Sequence, residues 1–197
     1  MEKKEIKKIS VPETNEAYNK IVYWFFSFPN QTIGLNDIAY KLKISKTTAN
    51  RIITRLIKER FLKKETIGKT WRISCNSDHR YNKYKKIGYN LELINKSGIL
   101  EIISKKFKNS QAIILFGSYR KGDDNEKSDI DIAVEVLGNE NLKITNLMKF
   151  KEFGYRKNIE VNVHVFSRNK IDNNLFSNIA NGIVLEGFLE VKNEKIS

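Results

Sequence analysis

Apolar and polar positions alternate in two different rhythms along the chain, and the rhythm changes near its middle. Glu13 to Phe28 reads as a helix to which Ala17, Ile21, Tyr23, Trp24, Phe25 and Phe28 give a broad apolar face, and Pro29 ends it. Thr32–Leu35 reads as a short extended piece. Asn36 then reads as the N-cap of a second helix buried through Ile38, Ala39 and Leu42, and Lys43-Ile44 as a tight turn. Ser45 is expected to cap a third helix running to about Arg60. Its Ala49, Ile52, Ile53, Leu56 and Ile57 make one apolar face. Two short strands, Phe61–Thr66 and Lys69–Ser74, flank Ile67-Gly68 and predict a hairpin. Residues 76–90 are polar and read as a linker, followed by a helix from Leu91 to Phe107.

Beyond that point the period shortens to two. Gln111–Phe116 is almost wholly apolar and predicts a strand buried on both faces. Ile130, Ile132 and Val134 alternate with Asp129 and Asp131. Ile159, Val161, Val163 and Val165 alternate with Glu160, Asn162 and His164. Between these strands, Asn141–Phe153 reads as a helix. Residues 1–12 are expected to fray.

The second half contains the chemistry. Asp129 and Asp131 share one strand face, roughly 6.6 Å apart along the chain, so both carboxylates can reach one small cation. Like charges so close repel unless something positive sits between them. Mg²⁺ suits that need, because it is held by one or two carboxylates with phosphate oxygens. Before them, across a gap of ten residues, stands Gly117-Ser118. A strand turning there into a helix would aim backbone N–H groups at its edge. Glycine lets a phosphate approach the backbone, the Ser118 hydroxyl can donate to it, and Lys121 adds a positive charge one turn on.

Phe116-Gly-Ser118 followed by Ser128-Asp-Ile-Asp-Ile-Ala-Val134 resembles the minimal nucleotidyltransferases of the DNA polymerase β superfamily, over roughly residues 90–190. The resemblance implies a nucleoside triphosphate substrate and Mg²⁺ or Mn²⁺ held by Asp129 and Asp131. It implies phosphate contacts from Gly117, Ser118 and Lys121, and a third carboxylate on the strand Ile159–Phe166. That third carboxylate would share the metal and act as base on the attacking hydroxyl; it falls on Glu160, completing the triad, or on Asn162, leaving it without an acid, and Glu160 is favoured. Relatives often have Arg-Gly where this chain has Lys121-Gly122, which keeps the charge and loses the bidentate fork. Leu175–Gly187 resembles the closing helix and strand of the same family.

Charge changes the reading of the first half. The chain of 197 residues has a net charge of +13, and residues 41–86 alone hold 15 Lys and Arg against 3 Asp and Glu. A concentrated basic tract is the electrostatic footprint of a nucleic-acid surface. The third helix turns Lys46, Thr47, Asn50, Arg51, Thr54, Arg55 and Lys58 outward, and the hairpin exposes Lys63, Lys64, Lys69 and Arg72. Leu35–Arg51 resembles the two-helix core of a winged helix-turn-helix domain. That resemblance implies DNA, or RNA, as partner, with the third helix in the major groove. Such domains often pair on two-fold sites, so a homodimer is a candidate.

The expected fold is therefore α+β. A winged helix-turn-helix domain spans residues 1–78, a linker and connecting helix 79–98, and a nucleotidyltransferase-like α/β domain with a small mixed sheet 99–197. The expected function is Mg²⁺-dependent transfer of a nucleoside monophosphate to an acceptor hydroxyl. The alternative is a non-catalytic DNA-binding regulator, or antitoxin-like repressor, with a nucleotide-sensing or degenerate second domain. The single cysteine, Cys75, excludes an internal disulfide and reads as a small filler at a strand end, and His79 reads as a surface residue. With neither an apolar leader nor a run long enough to cross a membrane, a cytoplasmic protein is expected.

Overall fold

The computed structural model describes residues 8–9, for which only the backbone is described, and 17–190. The strand β1 (Lys8–Ile9) is followed by helix α1 (Ala17–Ser27), β2 (Thr32–Ile33), α2 (Leu35–Lys41) and α3 (Lys46–Lys58). The hairpin β3 (Leu62–Ile67) and β4 (Thr70–Cys75) completes the first half. These short strands form an antiparallel sheet in the order β2-β4-β3. Lys43 sits at φ 53° in the turn between α2 and α3. Ser45 caps α3 by accepting a hydrogen bond from the Thr48 N–H at 3.0 Å. The N-cap of α2 is Gly34, so Asn36 lies inside that helix.

The second half begins earlier than its hydropathy suggests. Helix α4 (Tyr84–Ser97) begins inside the expected linker and is separated from α5 (Ile99–Lys106) by Gly98 at φ 73°. Its buried stripe is Lys86, Tyr89, Asn90, Leu93, Ile94 and Ser97. Three of those six are polar, so a helix-period stripe is present that a hydropathy reading does not detect.

Then come β5 (Ser110–Phe116), the short helix α6 (Gly117–Lys121), β6 (Ile130–Val136), β7 (Lys143–Phe153), β8 (Arg156–Phe166), α7 (Asn173–Ala180) and β9 (Ile183–Gly187). The larger sheet is mixed, in the order β1-β7-β8-β6-β5-β9, with β6 parallel to β8 and the β5 pairings antiparallel.

The expected helix at Asn141–Phe153 is strand β7. Leu147, Met148, Phe150 and Phe153 imitate a helical spacing because a bulge between Asn146 and Met148 shifts the strand's face. A two-residue loop, Gly154-Tyr155, joins Phe153 to its partner Arg156, and Gly154 takes φ 63°. Long-range pairing with β8 thus overrides the local pattern. Residues 8–9, expected to fray, pair in parallel with Glu152 and Phe153.

One apolar core runs through both halves, from Ile21, Phe26 and Phe61 to Leu93, Ile132 and Val163. Tyr23 stacks on Tyr89 with ring centroids 4.5 Å apart, and the Ser27 and Tyr89 hydroxyls lie 3.2 Å apart. The opposite face of the large sheet is covered by α7, where Ile179 packs on Ala112, Ile114, Phe116 and Ala133. Asp131, two residues before Ala133 on β6, points to that second face. Cys75 is buried at the end of β4, as expected. His79, expected at the surface, is half-buried: its ring meets Phe61 and Tyr81, and its Nδ1 accepts from the Tyr81 N–H at 3.3 Å. Among the described residues no helix is long and apolar enough to cross a membrane.

Candidate functional site

The site is built where β5 stops. Phe116, its last residue, pairs with Asp131 of β6. Gly117 then turns the chain with φ 70°, a conformation that L side chains rarely adopt. A Cβ placed on Gly117 would stand 2.9 Å from the Asp131 carboxylate oxygen Oδ2. The glycine corner and the carboxylate therefore face each other with nothing between them but the room a missing methyl leaves. Asp129 lies just before β6, and Asp131 on it keeps the same face, with Ile130 and Ile132 buried on the other. Ser118 and Lys121 lie on α6, Ser118 half-buried and Lys121 exposed.

The third strand of the site is β8. Its parallel register sets Asn162 beside Asp131, and Glu160 precedes Val161, the partner of Ile130. Asn162 donates from Nδ2 to Asp129 Oδ2 at 3.4 Å. Glu160 lies level with Asp129 but is engaged from the far side: Asn146 donates to it at 2.7 Å and Lys149 stands 3.8 Å away. Asn146 also donates to Asn162 at 3.3 Å, so a polar ladder runs from Lys149 to Asp129. His164 Nε2 lies 3.5 Å from Asp131 Oδ1, with the ring edge-on to Phe116 at 4.9 Å. Its Nδ1 is buried without a hydrogen-bond partner.

Two carboxylates on one face, level with a glycine corner, are hard oxygen donors and fit a divalent ion whose remaining positions go to water and phosphate. Among the described residues no group of three or more His, Cys, Asp or Glu converges as a metal site.

The loop between the corner and Asp129 is held by a buried cluster that sequence reasoning missed. Asp124 and Lys86 are each 1% exposed and Arg156 is 5% exposed. Lys86 Nζ lies 3.3 Å from Asp124 Oδ1 and donates to the Asp124 carbonyl. Asn90 donates to the same Oδ1 at 2.8 Å and to the Tyr119 carbonyl at 3.0 Å. Arg156 reaches Asp124 Oδ2 at 3.3 Å, the Asn125 carbonyl and the Tyr119 hydroxyl. Burial holds the Lys86 ammonium below its ordinary range, with Asp124 opposing. The only sequence signal was the helical spacing of Lys86 with Asn90, hidden by their polarity. From the first half, Asn30 donates through its N–H and Nδ2 to Glu126 at 3.0 and 3.1 Å.

Residues 96–184 match the family model described as Nucleotidyltransferase domain. The match contains the corner, both aspartates, Glu160 and Asn162. No curated protein matches the chain.

The basic residues of the first half lie outside that match. Lys46, Thr47, Asn50, Arg51, Thr54, Arg55 and Lys58 of α3 are all exposed, as are Lys63, Lys64, Lys69 and Arg72 of the hairpin. Several already have partners: Arg55 donates to Glu59 at 2.7 Å, Thr54 to Asn50 at 3.3 Å, and Lys64 lies over the Trp71 ring.

Proposed function

We propose that the chain is a divalent-metal-dependent nucleotidyltransferase joined to a DNA-binding winged helix. The observation that supports this most is the Asp131 carboxylate set against the Gly117 corner, within a matched nucleotidyltransferase domain. Gly117 and Ser118 cradle the outer phosphates and Lys121 offsets their charge. Asp129 and Asp131 hold Mg²⁺ or Mn²⁺, which when bound neutralises charge developing on the phosphates. An acceptor hydroxyl oxygen attacks the α-phosphorus in line. The bond from that phosphorus to the bridging oxygen breaks, and pyrophosphate leaves. Glu160 takes the hydroxyl proton, because the amide of Asn162 has no basic site for it. His164 acts through Asp131, limiting the rotation of its carboxylate.

α3 and the hairpin form the DNA face, through exposed cations and amides suited to phosphates and base edges. The test of transfer uses α-labelled nucleoside triphosphate with Mg²⁺. Wild type should move label to an acceptor, and Asp129→Asn and Asp131→Asn should not. Equal transfer by all three, or by none, refutes catalysis at this corner.

A second reading is favoured by one observation. Asn162, not an acid, is the side chain that contacts Asp129, and Glu160 is already engaged by Lys149 and Asn146. In that reading the domain senses a metal-bound nucleotide without turning it over, and the winged helix acts as a regulator. Nucleotide binding without pyrophosphate release would select it.

A further inference from the structure

A cleft of about 690 Å³ lies away from the aspartate corner, in the seam between the two halves. The first half contributes Asn30 and Ser77, the start of α4 contributes Lys83 and Tyr84, and the end of α6 contributes Arg120 and Lys121. α6 is shared: Gly117 and Ser118 at its start form the corner, and its last residues wall the cleft. Five helical residues advance roughly 7 Å, so the cleft opens about that far from the corner.

The walls have the chemistry of a single-strand channel. Tyr84 is 77% exposed, so its ring face is open to a stacking partner, and it stands between this cleft and a smaller cavity of about 300 Å³. Lys83 and Lys121 are exposed and Arg120 is half-buried, against one exposed carboxylate, Asp123. The other lining carboxylate, Asp124, is committed to Lys86 and Arg156. Lys83 also falls within the basic tract 41–86. Cations that track a phosphate backbone, with an aromatic face for a base, are the elements by which proteins hold single-stranded nucleic acid. Lys86 and Asp124 of the buried cluster line its floor.

Resting on the nucleotidyl-transfer reading above, we propose that this cleft seats the single-stranded end of a nucleic-acid acceptor, with a base on Tyr84 and its phosphates on Lys83 and Arg120. The acceptor's class is thereby assigned, and duplex recognition by α3 becomes a separate activity of the same chain.

The test is fluorescence anisotropy of labelled 12-nucleotide single strands, one of RNA and one of DNA, with the full chain in EDTA. No transfer occurs there. Tyr84→Ala should weaken binding about 5- to 150-fold, the worth of one base–aromatic stack, and Tyr84→Phe should restore it. Lys83→Ala should lower the salt slope by about 0.7. Duplex binding should stay within twofold of wild type for each variant, and a preference between RNA and DNA identifies the source of the strand. Single-strand affinities within twofold of wild type, or no single-strand binding by wild type at low salt, would overturn the proposal. The failure of the underlying reading is separate: a wild type that binds strands but no Mg²⁺–nucleotide loses the acceptor role through the corner, not through the cleft.

Discussion

Replacing Asp124 with Asn leaves two cations, Lys86 and Arg156, buried in the same place without their shared anion. In the wild type that anion has Lys86 at 3.3 Å, Arg156 at 3.3 Å and the Asn90 amide at 2.8 Å. Removing one partner of a buried ion pair costs about 3–5 kcal/mol, chiefly because the remaining charge stays desolvated. In a chain near 200 residues each kcal/mol moves Tm by about 2–4 °C, so the expected fall is about 6–20 °C. Lys86→Met should cost less, since Asp124 keeps Arg156 and Asn90. The double variant should cost less than the sum of the two, with a coupling of about 0.5–3 kcal/mol. Urea unfolding followed by circular dichroism gives all three values, provided the slope with denaturant is unchanged. A loss below about 1 kcal/mol for Asp124→Asn, or strict additivity, refutes the account of the cluster as a coupled brace for the loop before Asp129.

Four further outcomes are expected. Gly117→Ala places a methyl in a left-handed conformation and against Asp131, so it should cost about 1–2 kcal/mol of stability and abolish calorimetrically detected Mg²⁺–nucleotide binding. Asn162→Asp adds a third carboxylate; a unit charge at ~4 Å is worth ~1–4 kcal/mol, so Mn²⁺ titrations should show about tenfold tighter binding and EDTA a lower Tm. Burial raises the pKa of Tyr18, Tyr89 and Tyr119, and that of Tyr155 to about 12. Their contribution to stability is therefore complete below the unfolded value near ~10 and is lost as pH rises through the folded values. The tyrosinate absorbance of these four rings should accordingly appear together with unfolding, not before it. Arg51→Ala on α3 should weaken duplex DNA binding and reduce the salt slope by about 0.9 in a gel-shift series.

Much of the site could be read from residue order alone. The alternation Asp129-Ile-Asp131-Ile puts both acids on one face whatever the sheet's topology, and the glycine before Ser118 marks the corner in the same way. The third position could not be read, because it depends on the register of β8 against β6, a non-local pairing. That register sets Asn162 beside Asp131, with Glu160 one step back and occupied by Asn146 and Lys149. β7 was misread because a bulge gives its apolar residues a helical spacing. The start of α4 was misread because its inward residues include Lys86 and Asn90, whose partners lie far along the chain. Buried charge looks like a solvated surface until the partner is known. The cleft, likewise, exists only because α4, α6 and the end of α1 meet in space.

In the proposed function the corner and the two aspartates grip one metal–triphosphate unit together. Isothermal titration of a nucleoside triphosphate, with and without Mg²⁺, into wild type, Asp129→Asn and Asp131→Asn measures this directly. The account predicts saturable binding to wild type that needs Mg²⁺ and is lost in both variants. Binding that is indifferent to Mg²⁺, or that survives both substitutions, would contradict it.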